Sequence, residues 1–319
     1  MRQSLENLYS HGPFVMNCSA AVSLIFLSRY LMRGCSFQSV GCLALLHMVS
    51  TGAVAWSGAH HQLASSPVLL REKLLFAFVS TVSLISMNLS LSFNSVGTYQ
   101  ISKILMIPTC ALLEYLVDGK TVTTRGVAAM SVVMFGVGLA TVSDVAANSA
   151  GLISACSGVV SASGTNVACS HISKKYNISA NEFILKTLPF QLGAMFALGP
   201  VFDTFVRGDQ PLTWVKNSKP GCMLVVFLSC LLAAAVNISA VACVQRYDAS
   251  GFQILSHTKT VLVLCIGWAT SNGANVIRQV FGACIAIYGM ILYSNSASVP
   301  AAVAAVPGPG VSEKQREDR

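Results

Sequence analysis

Charged residues are scarce in this sequence, at 10% of 319 residues. Soluble globular domains carry about 25% charged residues, whereas 54% of the residues here are hydrophobic. A soluble domain is therefore excluded, and the composition predicts a membrane protein that lies in a lipid bilayer.

The sequence also lacks the motifs of catalytic and metal-binding proteins. It contains no Gly-Xaa-Ser-Xaa-Gly elbow, no P-loop, no Cys-Xaa-Xaa-Cys pair and no His or Cys cluster at metal-ligand spacing. Eleven cysteines lie singly, many in apolar runs, and we interpret them as small hydrophobic side chains rather than a disulfide framework. We predict no enzyme activity, no catalytic residue, no cofactor and no metal.

Acidic residues are nearly absent from the apolar runs. A transporter driven by protons or sodium usually needs an intramembrane carboxylate, so exchange or facilitated diffusion is favoured. Basic residues lie mostly in short connections, which is the signal of membrane orientation and not of a nucleic-acid partner. The N-terminus lacks the pattern of a removable signal peptide, so the first span is expected to serve as the insertion signal.

Ten apolar segments are present, each near the roughly 20 residues that a spanning helix needs. They lie near Phe14–Met32, Phe37–Trp56, Leu74–Phe93, Gly97–Val117, Thr124–Ser143, Ala150–His171, Phe183–Asp203, Gly221–Val244, Gly251–Ser271 and Asn275–Tyr293. We predict an all-α membrane protein with ten transmembrane helices.

Basic residues divide unequally between the two sides of these segments. The termini and alternate loops hold 11, and the opposite loops hold 6. The positive-inside rule therefore predicts that both termini are cytosolic. The expected organisation is a cytosolic N-terminus over 1–13, a ten-helix domain over 14–295, and a disordered cytosolic tail over 296–319.

A sparse internal repeat relates 88–136 to 237–289. Each stretch opens with an Asn-Xaa-Ser triplet, continues through a Gln and a Lys, and reaches an aromatic residue followed by Gly. The two halves, about 14–143 and 150–295, have five segments each, and an odd number inverts the second half. Inverted repeats with a site at their interface are typical of secondary transporters.

Lys259 lies near the middle of the ninth segment. A lysine there costs roughly 2.5–3.5 kcal/mol on insertion scales, and such residues usually face a cavity that carries a substrate pathway. The alternatives are a buried carboxylate partner or snorkelling to an interface. Lys103 occupies the matching place in the fourth segment, close enough to one end for snorkelling. Two amines facing one cavity would suit a phosphate or diphosphate.

Polar residues near these lysines are further candidates for substrate binding, with helix–helix hydrogen bonding as the alternative for His257, Asn88 and Asn237. The candidate substrate-binding residues are Lys103, Lys259, Thr260, Tyr99, Gln100, Gln253, His257, Asn88 and Asn237. Glu114, near the end of its segment, is expected to be solvated at the interface. Asn17 begins an Asn-Xaa-Ser sequon inside a span, where no glycosylation is expected.

Three stretches resemble the triose-phosphate/nucleotide-sugar transporter family. NLSLSFNSVGTYQISK at 88–103 resembles its third-to-fourth-helix signature, GFQILSHTKTVLVL at 251–264 its ninth helix, and FGACIAIYGMILY at 281–293 its tenth. The resemblance implies a ten-helix drug/metabolite-transporter fold with alternating access. It also implies phosphate contacts for the lysines that match Lys103 and Lys259.

The departures from the family motifs narrow the expected substrate. Plastid phosphate translocators have Arg after the second lysine, whereas Thr260 follows it here, as in the Lys-Thr subgroup that includes Golgi UDP-sugar transporters. The Gly-Ala-Leu-Asn-Lys motif of GDP-mannose transporters is replaced by 255–259, Leu-Ser-His-Thr-Lys.

We therefore expect an antiporter that exchanges a nucleotide sugar, a UDP-sugar, for a nucleoside monophosphate, UMP, across the Golgi membrane, or alternatively the endoplasmic reticulum membrane. Its assembly as a homodimer is left open. A translocator of a small phosphorylated metabolite or other organic anion is one alternative. A non-transporting membrane scaffold is another.

Overall fold

The computed structural model describes residues 2–37, 40–59, 68–94, 96–141, 149–206, 220–268 and 276–296. These ranges contain nine α-helices and no strand, which confirms the all-α prediction for them. The helices are α1 (Arg2–Gly34), α2 (Val40–Ala59), α3 (Leu70–Phe93), α4 (Val96–Asp118), α5 (Thr124–Thr141), α6 (Ser149–Tyr176), α7 (Ala180–Val206), α8 (Pro220–Trp268) and α9 (Val276–Ser296).

Seven of the described helices, α2 to α6, α8 and α9, are long and apolar enough to cross a membrane. The apolar stretch of α1 is shorter, at Gly12–Ser28, and α7 carries Glu182, Lys186 and Asp203. The ten predicted spans, the inverted repeat and the cytosolic termini are thus not confirmed. Of the expected disordered tail, 297–319 lies outside the described residues.

Helix α8 is interrupted at Asp248, whose backbone has φ 61° and ψ 176°. A residue other than glycine rarely adopts this backbone conformation, which persists only where surrounding contacts stabilise it. The break divides the 49 residues of α8 into a first arm, 220–247, and a second arm, 249–268. These arms contain the eighth and ninth apolar segments of the sequence, and the second arm carries Lys259.

The helices pack in pairs that mix the two halves of the chain. The most extensive pairings are α5 with α9, α3 with α6, α1 with α8, and α2 with α7. One buried apolar cluster includes Phe76, Phe183 and Cys243, and another includes Ile107, Val133 and Ala286. Phe252 of the first cluster and Ile254 of the second flank the candidate residue Gln253 in sequence.

Helices α5 and α9 approach each other through glycines. A Cβ added to Gly136 would lie 2.4 Å from the backbone nitrogen of Ala286, and one added to Gly282 would lie 2.5 Å from the backbone nitrogen of Ala140. Small residues allow this backbone contact between membrane helices. The contact joins the last helix of each predicted half.

A disulfide joins Cys35, just after α1, to Cys222, at the start of α8, with their Cα atoms 5.8 Å apart. The expectation that the cysteines act only as hydrophobic side chains is therefore wrong for this pair. The partners are 187 residues apart in sequence, and no local spacing could reveal them. Both lie on the side that the basic-residue count assigns to the non-cytosolic face, where disulfides persist.

Replacing either cysteine of this pair by serine is expected to lower the free energy of unfolding by about 3 kcal/mol, since the cross-link limits the unfolded chain. The double variant should lose no more than a single variant, because one bond is removed in each case. Thermal unfolding of the four proteins checks this. Cys156→Ser, at an exposed free cysteine, is the control. Additive losses would contradict the pairing.

Candidate functional site

The ammonium of Lys259 is held by an uncharged partner. Its Nζ donates a hydrogen bond to Oδ1 of Asn17 at 2.9 Å and lies 5.3 Å from the centroid of the Phe252 ring. No carboxylate pairs with it among the described residues, so the alternative of a buried ion pair is not supported. The positive charge is therefore available to an anion.

Lys103 lies in electrostatic range of Lys259 and of His257. Its Nζ is 4.9 Å from the centroid of the Tyr99 ring, one helical turn earlier in α4. The structure thus brings the two predicted lysines into one neighbourhood, with aromatic faces beside both. Aromatic rings stabilise cations without removing their charge.

The second arm of α8 carries three further candidates at helical spacing, Gln253, His257 and Thr260. Gln253 and His257 are buried, at 6% and 4% exposure, and Thr260 is half-buried. Nε2 of His257 has no hydrogen-bond partner in the described part of the chain. Residues four and three apart share a helix face, so these side chains form one polar row on the second arm. Lys259, two residues after His257, projects from a different face of that arm. Gln100 of α4 is also half-buried.

A cavity of about 260 Å³ lies between α2, α3, α7 and the first arm of α8. Its polar lining consists of hydroxyl and amide side chains, and none of the described residues that line it is charged. These polar residues are Thr51, Ser80, Thr81, Thr187, Gln191 and Asn237. Of the predicted residues only Asn237 lines this cavity, and its Nδ2 donates to Oγ1 of Thr51 at 2.9 Å.

Asn88 is not brought to the lysines or to the cavity lining. Its Nδ2 donates to the carbonyl oxygen of Leu84 in its own helix at 2.7 Å. This contact lies within α3, so it does not test the helix–helix alternative, which stays open.

Asn17 is the contact residue that the sequence analysis missed. It is 1% exposed, and its Nδ2 donates to the carbonyl oxygen of Val236 and to Oγ of Ser239, both at 3.0 Å. Its only signal in the sequence is an amide inside an apolar run. Several other asparagines share that signal, so the pattern alone does not select it.

Glu114 is buried, at 1% exposure, and the expectation of interfacial solvation is wrong. Its carboxylate accepts hydrogen bonds from the backbone N–H groups of Ala249 and Ser250, at 2.7 and 3.3 Å, and from the Ser250 hydroxyl at 2.5 Å. These groups begin the second arm of α8, where a negative charge is favoured by the helix dipole. The break in α8 leaves the N–H groups unpaired, and Glu114 satisfies them.

Asp248, at the break itself, bonds to α6 and to the connection between α4 and α5. Its carboxylate pairs with Lys120 at 2.5 Å and with Lys174, and accepts a hydrogen bond from Ser170 at 3.3 Å. Burial lowers the pKa of Lys120, but the hydrogen bond to Asp248 and the charges of Glu114 and Asp248 outweigh it and raise that pKa. Lys120 therefore stays protonated at neutral pH. We call Glu114, Lys120, Lys174 and Asp248 the ionic cluster.

Asp248→Asn is expected to loosen this end of the bundle. Cys110 is fully buried and packs with Ala249 directly beside the break. Two partly exposed ion pairs together contribute about 1 kcal/mol, so their loss should raise the rate of maleimide labelling of Cys110 about fivefold. Mass spectrometry of the labelled peptide measures this rate.

The matched control is Glu72→Gln, which removes a different ion pair of α6, the one with Lys175 at 2.6 Å. Labelling of Cys110 should not change in this variant. Equal labelling rates in Asp248→Asn and in the unaltered protein would show that the ionic cluster does not hold this end closed.

The chain is similar in sequence to known transport proteins. The model of the Triose-phosphate Transporter family matches residues 30–294. UDP-rhamnose/UDP-galactose transporter 2 of Arabidopsis thaliana is 37% identical over 286 residues, covering 89% of this chain and 82% of that protein. UDP-xylose transporter 1 of the same plant is 28% identical over 291 residues, covering 90% of this chain and 84% of the relative.

A solved crystal structure has the same fold, with a TM-score of 0.62 at 12% identity, covering 89% of this chain and 98% of that one. The named relatives are transporters and not enzymes. The expectation of no enzyme activity and the resemblance drawn from three short stretches are both confirmed. The relatives are UDP-sugar transporters, which supports nucleotide-sugar transport.

Proposed function

Because this chain belongs to the Triose-phosphate Transporter family, we propose that it exchanges a UDP-sugar for UMP across the Golgi membrane. The observation that carries the proposal is the pair of membrane lysines, Lys103 and Lys259, which have neutral and aromatic partners and no carboxylate partner among the described residues. The names of the Arabidopsis relatives favour a UDP-sugar over a small phosphorylated metabolite.

The lysines bind the phosphate groups in this proposal. Their charges repel each other in a partly buried region, and a diphosphate between them relieves that repulsion. An empty site leaves both amines without an anion in a medium of low dielectric constant, which is unfavourable. The empty protein therefore changes conformation more slowly than the loaded one, and exchange dominates over net transport.

The uncharged cavity receives the neutral part of the substrate. Its hydroxyl and amide side chains donate and accept hydrogen bonds, as sugar hydroxyls and a nucleobase require. Asn237 of the cavity follows Val236, which is bonded to the Asn17 that holds Lys259. The phosphate groups and the neutral group of one ligand would therefore meet α8 within a short distance of each other. Gln253, His257 and Thr260 would complete the contacts beside the phosphates.

The packing supports two inverted halves that move against each other. If the two arms of α8 are counted as the eighth and ninth helices, each helix of the first half has a counterpart five places later in the second half. Replacing each helix by its counterpart then converts the pairing of α1 with α8 into the pairing of α6 with α3. The same replacement leaves the pairing of α2 with α7 and the pairing of α5 with α9 unchanged. All four pairings are extensive in the structure. Alternating access then requires the ionic cluster, which joins α4, α6 and the break in α8, to open and close on the proposed cytosolic side.

Thermal stability of the purified protein tests the proposed substrate. UMP at 100 times its dissociation constant should stabilise the folded state by about 2.7 kcal/mol. CMP, GMP and inorganic phosphate at equal concentration are the controls. Stabilisation by phosphate and UMP alike would identify a site for small phosphorylated metabolites. No stabilisation by any of them would favour a scaffold without transport.

A further inference from the structure

One buried amide connects three helical elements at the lysine site. Asn17 of α1 accepts a hydrogen bond from Lys259 on the second arm of α8, and donates to Val236 and Ser239 on the first arm. Its side chain is 1% exposed, so water does not replace these partners. Asn17 of α1 thus bonds to both arms of α8, one before the break and one after it.

The orientation of this amide is fixed by its partners. The carbonyl oxygen of Val236 can only accept, so the NH₂ group of Asn17 must point toward it at 3.0 Å. The ammonium of Lys259 can only donate, so it takes Oδ1 at 2.9 Å. If the amide were reversed, Oδ1 would face the carbonyl oxygen of Val236, which is also an acceptor, and the NH₂ group would face the Lys259 ammonium, which is also a donor. Asn17 is therefore set to receive an ammonium group.

Because the amide of Asn17 is uncharged, the site around Lys259 keeps a net positive charge. A carboxylate at this position would neutralise Lys259, whereas an amide oxygen orients the ammonium and leaves its charge for a ligand. An apolar residue would leave the ammonium free to turn toward other acceptors. Lys259 has no carboxylate partner among the described residues, so the net positive charge depends on Asn17 remaining uncharged.

We propose that Asn17 is a positioning residue that holds the Lys259 ammonium as an uncompensated charge for the substrate's phosphate. This inference rests on the proposed function, because it assigns Lys259 to an anionic ligand. It predicts that a nearly isosteric acidic residue at this position impairs binding more than removal of the side chain does. A purely structural asparagine would show the reverse order, since alanine removes every bond that it makes.

The experiment compares exchange kinetics of Asn17→Asp, Asn17→Ala and the unaltered full-length protein in proteoliposomes, with UMP as the probe. Asn17→Asp should raise KM at least 30-fold, because an anion then meets a neutral pair. Asn17→Ala should raise KM about fivefold, and kcat should change less than threefold in both. Ser239→Ala removes an acceptor of the same amide and leaves the contact with Lys259 intact, so KM should stay within twofold.

The outcomes separate this inference from the function beneath it. If the unaltered protein exchanges UMP and Asn17→Asp has the same KM, or a smaller increase than Asn17→Ala, the positioning role is overturned and the function stands. If the unaltered protein neither exchanges nor binds UMP, both are overturned. If Asn17→Asp fails to fold, Asn17→Ala decides the question, since a KM equal to that of Ser239→Ala would overturn the role.

Discussion

Lys259→Met is expected to reduce UMP exchange at least 100-fold while the protein remains folded. The substitution keeps an unbranched side chain of similar length and removes the ammonium that is bonded to Asn17 and that we propose binds the phosphate. A charge-assisted contact with phosphate is about twice as strong as a neutral one, and the partly buried setting increases its contribution. Lys103→Met should have a smaller effect, because the Lys103 ammonium lies 4.9 Å from the centroid of the Tyr99 ring and no hydrogen bond to a described residue fixes its position.

The control is Lys73→Met. Lys73 also lies near an aromatic ring, 5.7 Å from the centroid of Phe190, but it has no role in the proposed site. Its exchange rate should stay within twofold of the unaltered protein. Lys259→Arg should retain only part of the activity, because a planar guanidinium does not fit the place of an ammonium. Exchange by Lys259→Met at the original rate would remove this residue from the mechanism.

Gly282→Ala is expected to destabilise the bundle by about 3 kcal/mol, at the upper end of the range for overpacked sites. The added Cβ would lie 2.5 Å from the backbone nitrogen of Ala140 and 2.9 Å from its Cα. Backbone atoms cannot rotate away as a side chain can, so α5 and α9 must separate along their contact. The loss would appear as a lower unfolding temperature and a smaller yield of monodisperse protein.

Gly193→Ala provides the same chemical change at an open position. Nothing lies within 4 Å of the Cβ that would be added to Gly193 in α7. This variant should unfold at the same temperature as the unaltered protein, or slightly above it, since alanine favours a helix over glycine. Equal unfolding temperatures for Gly282→Ala and Gly193→Ala would contradict the close packing of α5 on α9.

Hydropathy and the two lysines carried most of what the sequence could predict. Long apolar runs predict the helices directly from the sequence, because a membrane helix satisfies its own backbone hydrogen bonds and needs no partner to form. An isolated ammonium in such a run is costly, so its position alone made Lys259 a candidate site residue. Lys103 and the polar neighbours of both lysines on α4 and α8 were selected as candidates from the same pattern, and their role in binding stays a prediction.

Contacts between distant segments were beyond reach of the same reasoning. Asn17 is 242 residues from Lys259, and Cys35 is 187 residues from Cys222. Glu114 lies near a helix end in sequence, yet it is buried because the break at Asp248 exposes N–H groups that need an acceptor. These contacts arise from the way the helices pack against one another, and the sequence around each residue does not indicate that packing.

Counterflow in proteoliposomes tests the central proposal most directly. Vesicles are preloaded with UMP, CMP, GMP or inorganic phosphate and then receive a labelled UDP-sugar. We expect uptake driven by UMP alone, and the same preparation of Lys259→Met should show none. Uptake driven equally by inorganic phosphate, or no uptake with any preloaded compound from folded protein, would contradict exchange of a UDP-sugar for UMP.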